Sequence, residues 1–312
     1  MFQKLNINAL VLAASTVAHA AIGSNAPPWD LANFETLVVF GDSYSDDSRL
    51  AYFASHNGSA PPVGWVNPAV RTRHYLLWYK RLSLNIPQNY HSATGGRPWP
   101  QYTVQYSGVN LYNYAVSGAV CSNDITPRTF SAINADFPAV EQYEIPAYIA
   151  DSQYILPNGT RFMNATPSST VYTFWIGTND LGNYAFITDS QVNGTNIEDY
   201  VDCVYDQVQR VYDNGGRYFV LMNVAPLNLA PLYATPSMGG VGANQYWPQK
   251  PQNLTEISYR MMEQVVGVDA VYKYRTPFEA ELNRRYPGSH FAVMDVHGLV
   301  SRLCSSRDAS RM

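Results

Sequence analysis

Five short, mostly continuous apolar runs govern what this 312-residue chain can fold into. They fall at 36–40, 110–115, 170–176, 217–223 and 291–295. A strand reads this way when both of its faces are buried, as in a parallel sheet covered by crossover helices. The intervening segments agree. Between 197 and 214, Val201, Val204, Tyr205, Val208 and Val211 recur at helical spacing before the pair Gly215 and Gly216, and 254–271 continues the style. Stretches 55–68 and 89–100, rich in Gly, Pro, Asn and Ser, read as long loops above the strand ends. No internal repeat or linker divides the chain, so 21–312 is expected to form one α/β domain.

The first twenty residues read differently. MFQKLNINALVLAASTVAHA carries Lys4, an apolar stretch from 9 to 17 and the small-residue end Ala18-His19-Ala20, the layout of a secretory signal peptide removed from the mature protein. Five N-x-S/T sequons, at Asn57, Asn158, Asn164, Asn193 and Asn253, agree with a secreted, extracellular glycoprotein. In an oxidising space the three cysteines, Cys121, Cys203 and Cys304, allow one closed pair and one left over. With 46% hydrophobic and 14% charged residues, the balance is globular. A formal net charge of −4 shows no basic stripe for a phosphate backbone, so the expected partner is a neutral small molecule and not nucleic acid; no apolar run is long enough to expect a membrane partner, and the chain is expected to be a monomer.

An open α/β sheet places its ligands at the carboxyl ends of its strands. Three such ends are unusual here: FGDSYSD after the first run, YAVSGAVCSN after the second and FWIGTNDLGN after the third. A serine hydroxyl becomes a nucleophile when a base takes its proton and hydrogen-bond donors await the oxyanion formed on the attacked carbonyl. Gly41 lets the chain turn sharply so that Ser43 meets the crevice. Gly118 offers a backbone N–H with no side chain in the way, and Asn179 offers an amide N–H₂. Together these make a three-donor oxyanion hole. Asp42 and Asp180 are expected to hold loop backbone in place.

In this order, each block after an apolar strand, the ends resemble the signature blocks of the GDSL, or SGNH, hydrolase family. GDSYSD is similar to its nucleophile block at Ser43, NYAVSGA to its glycine block at Gly118 and IGTND to its asparagine block at Asn179. The resemblance implies a three-layer α/β/α sandwich with a central parallel sheet, flavodoxin-like, and a Ser-His-Asp triad with no cofactor and no metal. It is greatest to secreted fungal acetylesterases of carbohydrate esterase family 16, implying release of acetyl or other short acyl groups from plant cell-wall carbohydrate. GDSL lipases and thioesterases acting on longer acyl esters share the same blocks. No G-x-S-x-G elbow is present, which argues against the ordinary α/β-hydrolase fold. Trp65, Trp99 and Trp175 are the nearest candidates for stacking on a sugar, with core packing as the alternative. His56, His74 and His91 have no partner carboxylate at a telling spacing and read as no metal site.

The family takes its triad Asp and His from a D-x-x-H block near the C-terminus. This chain offers MDVHGLV, in which Asp295 and His297 stand one residue too close. Two readings stay open: a shortened pair at Asp295 and His297, or a structural segment just upstream of a block that the chain lacks, as a truncated gene model would. In the second case the protein is a catalytically incomplete, glycan-binding relative. The tail SRLCSSRDASRM carries no helical or strand pattern and is expected to be irregular.

Overall fold

Strand β1, Thr36–Gly41, is buried along its whole length and hydrogen-bonds to a neighbour on each side. The computed structural model describes residues 29–67, 92–93 and 95–309, the last four by backbone alone; the expected leader at 1–20, His74 and His91 lie outside them. Strands β2 (Asn110–Asn113), β5 (Thr170–Trp175), β6 (Tyr218–Met222) and β7 (His290–Met294) complete a sheet in the order β2-β1-β5-β6-β7. Every pairing in it is parallel. Strands β3 (Thr129–Phe130) and β4 (Ala135–Asp136) form a separate two-stranded arm.

Side chains alternate across β1 as the pleat dictates. Val38 and Phe40 enter the main core with Tyr114, Tyr148, Phe174 and Tyr205, while Leu37 and Val39 face the other way, against Ala115, Leu111 and Trp99. The main core is closed by helices α3 (Ile145–Gln153), α5 (Ile197–Asp213) and α6 (Leu254–Pro277), and the opposite face by α2 (Trp99–Ser107). The result is the expected three-layer α/β/α sandwich. Helix α5 shows why the sequence specifies its ends. Asn196 accepts from the Glu198 N–H at 2.6 Å while Asp199 accepts from the Asn196 N–H at 2.7 Å, and Gly215, at φ +98°, follows its close. All five residues expected on its buried stripe are buried.

Two expectations change. The long helix runs past 271 to Pro277 and continues as a π-helical turn over Phe278–Leu282. The tail is helical: α7 spans Val296–Ala309. Its start is fixed by one cap from its own segment and one from the end of β6: Asp295 Oδ1 accepts from the Gly298 N–H at 2.8 Å, and Asn223 Oδ1 from the His297 N–H at 2.9 Å. Capping of this kind sets a helix in motion without an apolar stripe to announce it. Cys121 and Cys203 are joined in a disulfide across 82 residues of sequence, and Cys304 is a free, exposed thiol.

Candidate active site

With the strands of the main sheet taken in chain order, β2 is added on one side of β1 and β5, β6 and β7 on the other, so the winding reverses between β1 and β5, and ligands of open α/β sheets bind at such a switch point. Ser43 follows β1 and Asn179 follows β5, so both stand at its carboxyl edge. Gly41, at φ +150°, makes the exit possible, since a Cβ there would meet the Trp175 carbonyl oxygen. Beyond it, Asp42 organises the turn: its carbonyl accepts from the N–H groups of Ser45 and Asp46, and its Oδ1 accepts from the Tyr44 N–H at 3.0 Å. Asp46 then accepts from Ser48, Arg49 and Leu50 at the start of α1 (Arg49–Ser55), and its Oδ2 reaches across to the Ser117 N–H at 2.8 Å. The nucleophile turn and the Gly118 turn are thereby fastened together.

The Asn179 turn is tied to both. Asn179, in the short helix α4 (Thr178–Leu181), donates from Nδ2 to the Ala119 carbonyl at 2.8 Å, and Asp180 Oδ1 accepts from the Cys121 N–H at 2.8 Å. Thr178 hydrogen-bonds the Asp42 carboxyl. Ser43 and Tyr44 in the first turn, Gly118 in the second and Thr178 and Asn179 in the third are half-buried, while Asp42, Ser117, Ala119 and Asp180 beside them are buried, so the candidate residues lie where the turns reach the crevice. Tyr44, Ser45, Asp46, Ser117 and Ala119 all spend their N–H groups within the turns. Those of Ser43 and Gly118 have no acceptor among the described residues, nor has the Ser43 hydroxyl a partner there. Two idle backbone donors and one side-chain amide around an unengaged serine are what an oxyanion requires.

Buried acids support this rim. Glu144 accepts from the Gly41 N–H at 2.9 Å and the Val116 N–H at 3.2 Å, joining the ends of β1 and β2. Burial pushes its carboxyl well above the ordinary range. Burial likewise raises Asp42 to about 6, against the opposing hydrogen bonds of Tyr44 and Thr178, and Asp180 to about 7. No group of three or more His, Cys, Asp or Glu side chains placed to share a metal ion occurs among the described residues.

The family model described as GDSL-like lipase/acylhydrolase matches residues 37–298. The chain belongs to that family. Over 86% of its length it is 38% identical to an acetylesterase of Hypocrea jecorina, covering 70% of that protein. A GDSL esterase/lipase of Zea mays and an acetylesterase of Thermothelomyces thermophilus are each 26% identical, over 64% and 62% of the chain, which spans about half of their lengths (51% and 55%). This GDSL hydrolase is thus a carboxylic ester hydrolase by kinship.

The aromatic candidates separate. Trp175 lies at the end of β5 and stacks on Tyr44, 4.7 Å between centroids and 16° between planes, beside the nucleophile. Trp99 instead fastens the turn from behind, donating from Nε1 to Ser45 Oγ at 2.9 Å. Trp65 stands beyond β2, edge-on to Tyr52 and 5.2 Å from the guanidinium of buried Arg49. His56 stacks on Tyr52. The side chain of Asp295 accepts from Asn223 Nδ2 at 3.0 Å, and His297 Nδ1 is 3.0 Å from Asp269 Oδ2. Neither contacts Ser43. Both follow β7, a strand three spacings from β1, about 14 Å. Glu144 and Arg128 escaped the sequence reading; each acts on backbone or amide groups far away in the chain, and no local spacing marks them.

Proposed function

We propose that this GDSL hydrolase removes acetyl or other short acyl groups from carbohydrate esters, with Ser43 as nucleophile. The observation that carries the reading is the unengaged Ser43 hydroxyl flanked by the idle N–H groups of Ser43 and Gly118. Ser43 Oγ attacks the acyl carbonyl and gives its proton to a base, while Ser43 N, Gly118 N and Asn179 Nδ2 donate to the oxygen that becomes negative. Collapse expels the sugar hydroxyl with a proton and leaves an acyl-serine, and water repeats the sequence to release the carboxylic acid. The short-acyl preference is supported by the similarity to the Hypocrea acetylesterase. The stacked Tyr44 and Trp175 supply an apolar face for a sugar ring. A secreted, glycosylated protein is supported by the exposure of all five sequon asparagines, Asn57, Asn158, Asn164, Asn193 and Asn253.

The test is hydrolysis of p-nitrophenyl acetate, butyrate and palmitate by the full chain and by Ser43→Ala. Acetate is expected to be turned over fastest, and Ser43→Ala to lose about 10³-fold or more in kcat. Full activity in Ser43→Ala overturns the assignment. His297, which pairs with Asp269 and makes no contact with Ser43, favours one second reading, a glycan-binding relative that lacks its base. Binding of xylo-oligosaccharides by a wild-type chain without esterase activity decides for it.

A further inference from the structure

Asn179 is the one oxyanion donor supplied by a side chain, and an amide can sit either way round. Turned over, it would present oxygen to the oxyanion and repel it. Two contacts decide the orientation. Arg128 Nη1 donates to Asn179 Oδ1, and Asn179 Nδ2 donates to the Ala119 carbonyl at 2.8 Å. A guanidinium has no acceptor and a carbonyl no donor, so only one orientation satisfies both neighbours. The second Nδ2 hydrogen then has no acceptor among the described residues.

We propose that Arg128 is the positioning residue of the oxyanion hole, fixing which way round the Asn179 amide faces the crevice. The inference rests on the reading of Ser43, Gly118 and Asn179 given above. Its structural setting is the two-stranded arm. The Arg128 carbonyl accepts from the Phe137 N–H at 2.8 Å, closing the base of the arm, and both residues bear on Gly118: Arg128 Nη1 is 3.4 Å from its carbonyl oxygen, and the Phe137 ring lies against its Cα. Arg128 is also 5.6 Å from the Phe137 ring centroid and interacts electrostatically with Asp180, Asp42, Tyr233 and Tyr184. Asp42 and Asp180 flank Ser43 and Asn179 in sequence, so the cation sits among groups of the same rim. A salt bridge to a carboxylate alone would leave the amide free to turn; the direct bond to Oδ1 does not.

The test is a double-mutant cycle on p-nitrophenyl acetate with Arg128→Ala, Arg128→Met, Arg128→Lys and Asn179→Ala. Arg128→Ala and Arg128→Met, which has no donor, are expected to lower kcat about 10²-fold with little change in KM. Arg128→Lys, which keeps a donor, is expected to recover part of it. Adding Arg128→Ala to Asn179→Ala should change kcat by no more than about three-fold, because the group it positions is gone. Arg128→Met preserves much of the side chain's bulk; if Arg128→Ala does not fold, its kcat and its weakened affinity for an alkylboronic acid, whose serine adduct places an oxygen in the hole, carry the same comparison. If Asn179→Ala loses kcat while Arg128→Ala and Arg128→Met keep it, or if the two losses multiply, the positioning role is overturned and the site stands. If Asn179→Ala keeps kcat, the site reading itself fails and the role falls with it.

Discussion

Gly118→Ala tests the rim with one methyl group. At φ +88° an alanine sits in the left-handed region, costing about 1–2 kcal/mol. Its Cβ would also overlap the Phe137 ring, since the three nearest atoms all belong to that ring and lie within 3.0 Å. The ring must therefore swing away from Phe130, on which it stacks at 4.7 Å, and from Arg128. Those contacts are worth about 0.5–1.5 and 0.5–1 kcal/mol. Together these come to about 2–4.5 kcal/mol, and at roughly 2 °C per kcal/mol for a domain of this size the melting temperature should fall by about 4–9 °C. The Gly118 N–H moves with the strained backbone, so kcat should fall about 10²-fold. Thermal melting and p-nitrophenyl acetate turnover read the two effects separately. Phe137→Ala removes the overlap but not the strain, so the double variant should be less destabilised than the sum of the two single variants. Additive costs, or a Gly118→Ala melting temperature within about 1 °C of wild type, would refute the packing argument.

Asp180 makes stability depend on pH in a stated direction. Its folded value, about 7, is raised above an unfolded value of about 3.9, so its contribution is full below pH 4 and is lost as pH rises through 7. At about 1.4 kcal/mol per pH unit that difference is at most about 4 kcal/mol, and Asp180→Asn should flatten the denaturant midpoint between pH 4 and pH 7.5 by part of it; an unchanged profile would rule the linkage out. Asp42, raised to about 6, keeps some slope in the same window. For the sequons, endoglycosidase treatment of the protein secreted by a eukaryotic host should reduce its mass stepwise; Asn253 can carry a glycan on Nδ2 while its Oδ1 still accepts from the Glu256 N–H at 3.1 Å and caps α6. No mass change would remove glycosylation as support for secretion.

The strands were legible because burial on both faces leaves little choice of residue, and every one of the five main-sheet strands lies within two residues of its expected bounds. Helix α5 was legible because Asn196 and the glycines punctuate a regular stripe. The tail helix was not: it is started by Asp295 and Asn223, a contact between segments 72 residues apart. The same holds for the rim. Gly41, Ser43, Gly118 and Asn179 stand out because glycine exits and polar residues interrupt apolar runs. Glu144, by contrast, lies 103 residues from the Gly41 N–H that it holds, and Arg128 lies 51 from Asn179. Their value comes from closure of the sheet, which no local pattern encodes.

The bond between Cys121 and Cys203 makes the rim a post-synthetic achievement. Cys121 lies three residues past Gly118 and gives its N–H to Asp180, so one crosslink ties the exit of β2 to helix α5 beside the oxyanion donors. A newly made chain carries two thiols there, and a reducing cytosol keeps them so. The same sequence prepared in a reducing and in an oxidising host is then two preparations with differently tethered rims, and a rate constant for this chain has meaning only alongside its thiol count.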